Sequence, residues 1–304
     1  MKDNKMLKSK IAIYNLEPKY QNYALDKVRL FYQRKGATVE DYLALAYNSY
    51  DEIWCSSIFD WTNHDNLPPN IIKGGTGFDL TTNLPDEIEN IEPHLNYGFT
   101  TRGCIRKCPF CVVPQKEGKV RVVGDLMSLW DGKSKDVVLY DNNILALPQQ
   151  FEIVCKQALE HKIKLDFNQG IDFRLLTPEL SELLKRISHV EYHLALDDIK
   201  SISKAQKAID MLKKAGINRS NWYVLVGYNS TPQEDLIRLN FLRNNGQGAY
   251  VQRYKGNTDA LFYTAIARWA NQHHIFQGMT WQQFLEHKDN RRYLKLKTEY
   301  SILS

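Results

Sequence analysis

The stretch Gly103-Cys104-Ile105-Arg106-Lys107-Cys108-Pro109-Phe110-Cys111 carries three of the chain's five cysteines, spaced C-x3-C-x2-C. Three thiolates on one tight loop can hold three irons of a cubane iron–sulfur cluster. No fourth cysteine lies nearby, because Cys55 and Cys155 are isolated. One iron would then be left open for a small chelating ligand, and an open coordination position is what a catalytic metal site requires. The alternative is a Cys3His zinc site completed by His94 or a more distant histidine, although zinc usually draws its ligands as two separated pairs.

On either side of this loop the chain alternates between strand-like and helix-like segments. Tyr97–Thr101 reads as a strand leading into the cysteines, and a short helix is expected near Asp125–Trp130. Strand Val137–Tyr140 precedes a helix from Pro148 to His161, and strand Lys164–Asn168 precedes one opened by Thr177-Pro178. Strand Val190–Leu196 leads to a helix with Ile202, Ala205, Ala208, Ile209 and Leu212, ended by Gly216. After strand Trp222–Val226, Thr231-Pro232-Gln233-Glu234 is a capping-box signature for a further helix, and strand Ala249–Arg253 closes the series. Strands alternating with helices imply parallel pairing through right-handed crossovers. The expected fold is α/β: a partial (β/α)6 barrel over 94–255, too short by two units for a closed eight-stranded one. A C-terminal helical extension over 256–304 follows, rich in Phe262, Trp269, Phe276, Trp281 and Phe284. Residues 1–93 read as a small α/β, Rossmann-like domain with strands Lys10–Tyr14, Thr38–Tyr42 and Glu52–Cys55.

The cysteine motif, with Phe110 just before its last thiol, resembles the signature of the radical S-adenosylmethionine (SAM) superfamily. In that family the cysteine loop follows the first strand of a partial barrel, as Tyr97–Thr101 would here, and Gly118-Lys119-Val120-Arg121 resembles the stretch after it. The resemblance implies a single [4Fe–4S] cluster whose open iron is chelated by SAM. A single electron then cleaves SAM to methionine and a 5′-deoxyadenosyl radical, which abstracts hydrogen from the substrate. It also implies an external electron donor, flavodoxin or ferredoxin. Ligands of parallel β/α folds meet the C-terminal ends of the strands, where the sequence places Asp141-Asn142-Asn143, Asn168-Gln169, Asp172, Arg174, Asp197-Asp198, Gly227-Tyr228-Asn229 and Gln252-Arg253-Tyr254. By the family pattern Phe110 lies near the SAM adenine, and Gly227 lets backbone approach the adenine. Asp141 or Asn142 takes the SAM amino group in place of a Gly-Gly-Glu-like motif, Asp197 reaches the ribose, and Arg174 pairs with the SAM carboxylate. Asn168 belongs to the same cofactor-binding set.

Residues 1–93 resemble a degenerate cobalamin-binding domain, chiefly through the Gly74-Gly75-Thr76-Gly77 turn. The D-x-H-x-x-G pattern that ligates cobalt is absent, with His64 at the wrong spacing, so cobalamin is not expected and the domain is expected to wall a substrate cleft. No Lys-Ser/Thr follows the turn, which excludes a P-loop. A methylthiotransferase would carry further N-terminal cysteines and a peptide maturase a cysteine-rich C-terminus; neither pattern is present. The enzyme alternative is a cobalamin-dependent radical SAM methyltransferase, and the non-enzymatic one a zinc-stabilised nucleic-acid-binding module using the basic group Lys288, Arg291, Arg292, Lys295 and Lys297.

Composition is that of a globular protein, 43% hydrophobic and 25% charged, which disfavours disorder, collagen and coiled coil. A net charge of +5 permits a nucleic-acid substrate without implying one. No apolar run nears the roughly 18–20 residues of a membrane span, and the lysine-rich start does not read as a signal peptide. With few, clustered cysteines, a cytoplasmic protein without membrane association is expected.

Overall fold

The computed structural model describes residues 9–187, 191–255 and 260–300. Val190, the first residue of one expected strand, and the expected domain boundary at 255/256 fall at or beyond the edges of that set, as do 1–8 of the lysine-rich start. Within it the chain is mixed α/β, built on small parallel sheets.

The first sheet is parallel, in the order β2 (Thr38–Asp41), β1 (Lys10–Asn15), β3 (Glu52–Ser56), β4 (Ile72–Gly74). Helix Tyr23–Arg34 packs on it because Leu25, Val28, Phe31 and Tyr32 recur at helical spacing and join Ile11, Ile13, Trp54 and Ile88 in one apolar cluster. Asn22 caps this helix by accepting the Leu25 N–H.

Beyond residue 93, β5 (Tyr97–Gly98) ends early. The chain then turns, and β6 (Thr101–Arg102) pairs antiparallel with β7 (Arg121–Val122), so the expected strand Tyr97–Thr101 is two short pieces. The cysteine loop is the connection of this hairpin. Two parallel three-stranded sheets follow. One runs β5, β8 (Asp136–Leu139), β9 (Lys164–Phe167); the other runs β10 (His193–Ala195), β11 (Asn221–Val226), β12 (Gly248–Arg253). Between them the Ile171 N–H donates to the His193 carbonyl at 2.7 Å, a single tie rather than a ladder.

The intervening helices start and stop where local chemistry dictates. Pro148–His161 and Pro178–Arg186 carry proline in the first turn, and Thr177 caps the second. Pro232–Asn244 opens with a complete Thr231/Glu234 capping box. The outward strand residues and the inner helix faces form one core from Leu126 to Leu296. Phe262, Trp269, Phe276, Trp281 and Phe284 are fully buried within it, so the C-terminal helices belong to that core. The basic group Lys288–Lys297 lies outside it, exposed around buried Tyr293 and Leu296. No helix of the described residues is long and apolar enough to cross a membrane.

Candidate functional site: a thiol-lined cleft at the strand ends

The cysteine loop is held from beneath by one carboxylate. Asp141, just past β8, accepts from the backbone N–H and hydroxyl of both Thr100 and Thr101, and all three residues are buried. Burial pushes the Asp141 carboxyl up, against the pull of these four donors. Asn142 Oδ1 accepts the Gly103 N–H at 3.0 Å, and the Cys104 N–H donates to the Gly118 carbonyl at 3.3 Å. Gly103 sits at φ +81° with its α-carbon against the Lys119 carbonyl, where any side chain would collide.

So anchored, the loop turns its three thiols into a cleft of about 190 Å³ lined also by Phe110, Asn142, Asn143, Gln169, Asp172, Arg174 and Asp197. All but the loop's own residues follow the C-terminal ends of β8, β9 and β10. The Arg106 N–H donates to Cys104 Sγ at 3.3 Å, and Asn143 Nδ2 approaches the same sulfur at 3.5 Å. Burial pushes the Cys108 and Cys111 thiols up, against the pull of Arg174 on Cys108 and of the Val113 backbone on Cys111.

The cleft's charge is organised by Asp172. Its carboxylate accepts from Arg106 Nε (2.8 Å), Arg174 Nε (2.6 Å) and Asn143 Nδ2 (3.1 Å). Burial alone would raise Asp172, yet the two guanidinium groups outweigh it and hold the carboxyl below its usual range. Asp197 is pushed up by burial, with one oxygen accepting the Leu225 N–H at 2.9 Å. The Oδ1 of Asn143 is buried without a hydrogen-bond partner, a costly state for an amide oxygen unless a ligand donates to it.

Of the residues expected from sequence, the cleft brings together Cys104, Cys108, Cys111, Phe110, Asn142, Arg174 and Asp197. Three others lie elsewhere. Asp141 is spent on the threonines, and Asn168 is exposed beside Gln169. Gly227, at φ +72°, gives its N–H to Asp235 Oδ2, which with fully buried Arg238 ties β10 and β11 to helix Pro232–Asn244. Its neighbour Tyr228 meets Phe110 edge-on at 5.2 Å and Tyr254 at 4.7 Å. In the sequence Asn143 and Asp172 are two polar strand ends among several, and Arg106 is an interior residue of the cysteine motif. His94 bonds the Trp130 carbonyl and faces Glu92, outside the cleft.

Among the described residues no three His, Cys, Asp or Glu side chains are grouped so that they could hold one metal ion. A cubane distributes its thiolates over different irons, and soft sulfur donors are the set it takes. The sulfur donors, the N–H groups aimed at Cys104 and the orphaned Asn143 oxygen fit such a group with a polar ligand beside it. Fold and site define a mixed α/β protein with a thiol-lined cleft at its strand ends. No family model matches the chain, and no curated protein matches it.

Proposed function

We propose that the protein is a radical SAM enzyme, with Cys104, Cys108 and Cys111 holding a [4Fe–4S] cluster. The observation that carries this reading is the convergence of three thiols from one loop on a single strand-end cleft, beside an unpartnered buried amide oxygen and a paired-arginine carboxylate. The two parallel triplets β5-β8-β9 and β10-β11-β12 are read as halves of a partial (β/α)6 barrel, joined at the Ile171–His193 tie.

When bound, the cluster and SAM supply one-electron cleavage of a carbon–sulfur bond and a carbon-centred radical. This chain's residues bind and orient. Asn143 Oδ1 is the acceptor for an ammonium group, a role the family resemblance gives to Asp141 or Asn142. Arg174 offers its remaining N–H groups to a carboxylate, while Asp172 fixes its direction. Phe110 presents an apolar face, backed by Tyr228. The substrate carries an unactivated C–H bond. The test is anaerobic reconstitution with iron and sulfide, then dithionite and SAM. Slow release of 5′-deoxyadenosine is expected; its absence, with an intact reducible cluster whose spectrum ignores SAM, would refute the reading.

A further inference from the structure

The strands of the two parallel triplets bury one face only. Leu165, Leu194 and Trp222 lie under the helices, fully buried. On the opposite face Val138, Asp166, His193, Ala195, Tyr223 and Tyr250 keep part of their surface exposed. Register sets them side by side: Val138 with Asp166, and Tyr223 between Ala195 and Tyr250. Ala195 lines the cysteine cleft, and His193, two residues earlier on the same face of β10, lies beneath it. Asp166 and His193 belong to different triplets, on either side of the Ile171–His193 tie, and each feels the other's charge. Burial pushes the Asp166 carboxyl up, with His193 pulling against it and Glu191 adding to it. Asp166 Oδ1 and His193 Nδ1 are both buried without a hydrogen-bond partner among the described residues, a costly state for either atom.

The far side of the His193 ring fixes what would fill these atoms. Nε2 lies 3.0 Å from Glu191 Oε2. An ionised carboxylate only accepts, so Nε2 carries the hydrogen and the neutral ring offers Nδ1 as an acceptor. The Asp166 oxygen is an acceptor too. Two unfilled acceptors call for a ligand with two donors, and the walls call for a flat one. The His193 ring stacks on Tyr223 at 5.4 Å, and Tyr250, half exposed, meets Tyr223 edge-on at 6.0 Å. Among the nucleobases guanine sets a ring N–H beside an exocyclic amine; adenine and cytosine set a ring acceptor there. We propose that this face recognises a guanine base, Asp166 Oδ1 and His193 Nδ1 accepting between them its ring N–H and its amino N–H. Bases outside a duplex are read in this manner, by their pairing edge and by stacking. The inference rests on the radical SAM reading and names the substrate class of that site. A guanidinium also carries paired donors, but it is matched by the fork of a single carboxylate, whereas these acceptors sit on two strands and one is an uncharged ring. Outward from the cleft, Phe110, Tyr228 and Tyr254 stay in ring contact, with Tyr254 exposed (39%) as a flanking base requires.

The experiment titrates the reconstituted protein at pH 8, without SAM or reductant, with labelled short oligouridines carrying one central guanosine, inosine or adenosine. Guanosine 5′-monophosphate and N-acetylarginine amide serve as competitors. Inosine lacks only the exocyclic amine, so its oligomer should bind about tenfold or more weakly than the guanosine one, and the adenosine oligomer more weakly still. Asp166→Leu and His193→Phe each remove one acceptor at nearly constant shape. One of them should erase the difference between guanosine and inosine; the other should weaken both alike, because inosine keeps the ring N–H. A misfolded variant would instead lose iron and all binding, and the wild-type series decides without it. Displacement by the free nucleotide at a similar concentration identifies a mononucleotide as the source, and its failure a base within a strand; both satisfy the proposal. Equal binding of the three oligomers by wild type would overturn it, as would an unchanged guanosine-to-inosine ratio and affinity in both variants. Stronger displacement by the arginine amide than by the nucleotide would make the face a guanidinium site and overturn it too. If dithionite and SAM yield no 5′-deoxyadenosine in wild type, the radical SAM reading itself fails, whatever these titrations show.

Discussion

At the residue scale, the five cysteines separate by environment. Cys55 and Cys155 are buried in apolar surroundings that push both thiols up to about 12, which leaves them inert toward metals at neutral pH. Cys104, Cys108 and Cys111 are partly exposed on the cleft wall. Alanine at any of the three should therefore abolish iron and sulfide retention after reconstitution, whereas alanine at Cys55 or Cys155 should leave the metal content unchanged. A full cluster in Cys104→Ala alongside loss in Cys155→Ala would reverse the assignment. Asn143 gives a finer test. Asn143→Ala removes the orphaned oxygen together with the donor to Cys104 and Asp172. The cluster should still form, but the SAM concentration that half-saturates its spectral change should rise about tenfold, equivalent to the ~1.4 kcal/mol of one hydrogen bond to a charged group. An unchanged SAM titration would strip Asn143 of that role.

At the scale of elements, Asp141 clamps the end of β8 to the β5–β6 turn. Asp141→Ala strands the buried Thr100 and Thr101 N–H groups, each costing about 1–3 kcal/mol. Urea unfolding should show a loss of about 3 kcal/mol or more, and the variant should hold iron poorly because the loop above loses its base. Unaltered stability would show that the clamp carries no weight. The helices and their caps were legible because their signals are local: Thr177, Thr231 with Glu234, Pro148 and Gly216 all act within one turn of chain. So were most strands, since outward apolar positions alternate along them. The unexpected β4 sits in a segment read as glycine turn, because its strand character comes from pairing with β3 rather than from its own residues. The split of Tyr97–Thr101 is likewise tertiary, set by β8 on one side and β7 on the other. In the site, the cysteines and their cleft partners at strand ends could be read from spacing. Which strand-end carboxylate turns under the loop and which faces the cleft could not, since Thr100 and Arg106 make that choice for Asp141 and Asp172 across 41 and 66 residues.

At the scale of the whole molecule, the N-terminal unit touches both outer edges of the two parallel triplets. Tyr23 packs on Tyr97 and Phe99, Tyr97 donates to Asp26, and Tyr140 reaches Gln21, all on the β5–β8 side. Just past β12, Lys255 pairs with Asp60 and lies 4.6 Å from the Trp61 ring. The cysteine cleft is lined by residues 104–197, and the described part of the unit supplies none of that lining. A separate cavity of about 480 Å³ lies where the unit meets the β6–β7 hairpin, between Lys27, Glu89 and Arg102. The Gly74–Gly77 turn is packed, not open: the Ser57 N–H donates to the Gly74 carbonyl and the Gly77 N–H to the Ser57 carbonyl. A side chain at position 75 or 77 would strike residue 57. The Ile58 and Phe59 N–H groups, which could receive an anion at this sheet edge, are already taken by Glu17 at 3.0 and 3.3 Å. Burial alone would raise the Glu17 carboxyl, but donors from Thr62, Ile58, Ser57 and Phe59 outweigh it and hold it below its usual range. This internal anion is therefore fully in place at neutral pH and lost only as pH falls through that lowered value. His64 is turned inward, with Nε2 on Ser57 Oγ at 3.0 Å and its ring stacked on Phe78 at 4.3 Å. These contacts leave the Gly74–Gly77 turn and His64 already engaged within the unit. Equilibrium dialysis at pH 7 should accordingly show no retention of hydroxocobalamin, and stoichiometric binding at micromolar affinity or tighter would instead promote a cobalamin-dependent methyltransferase.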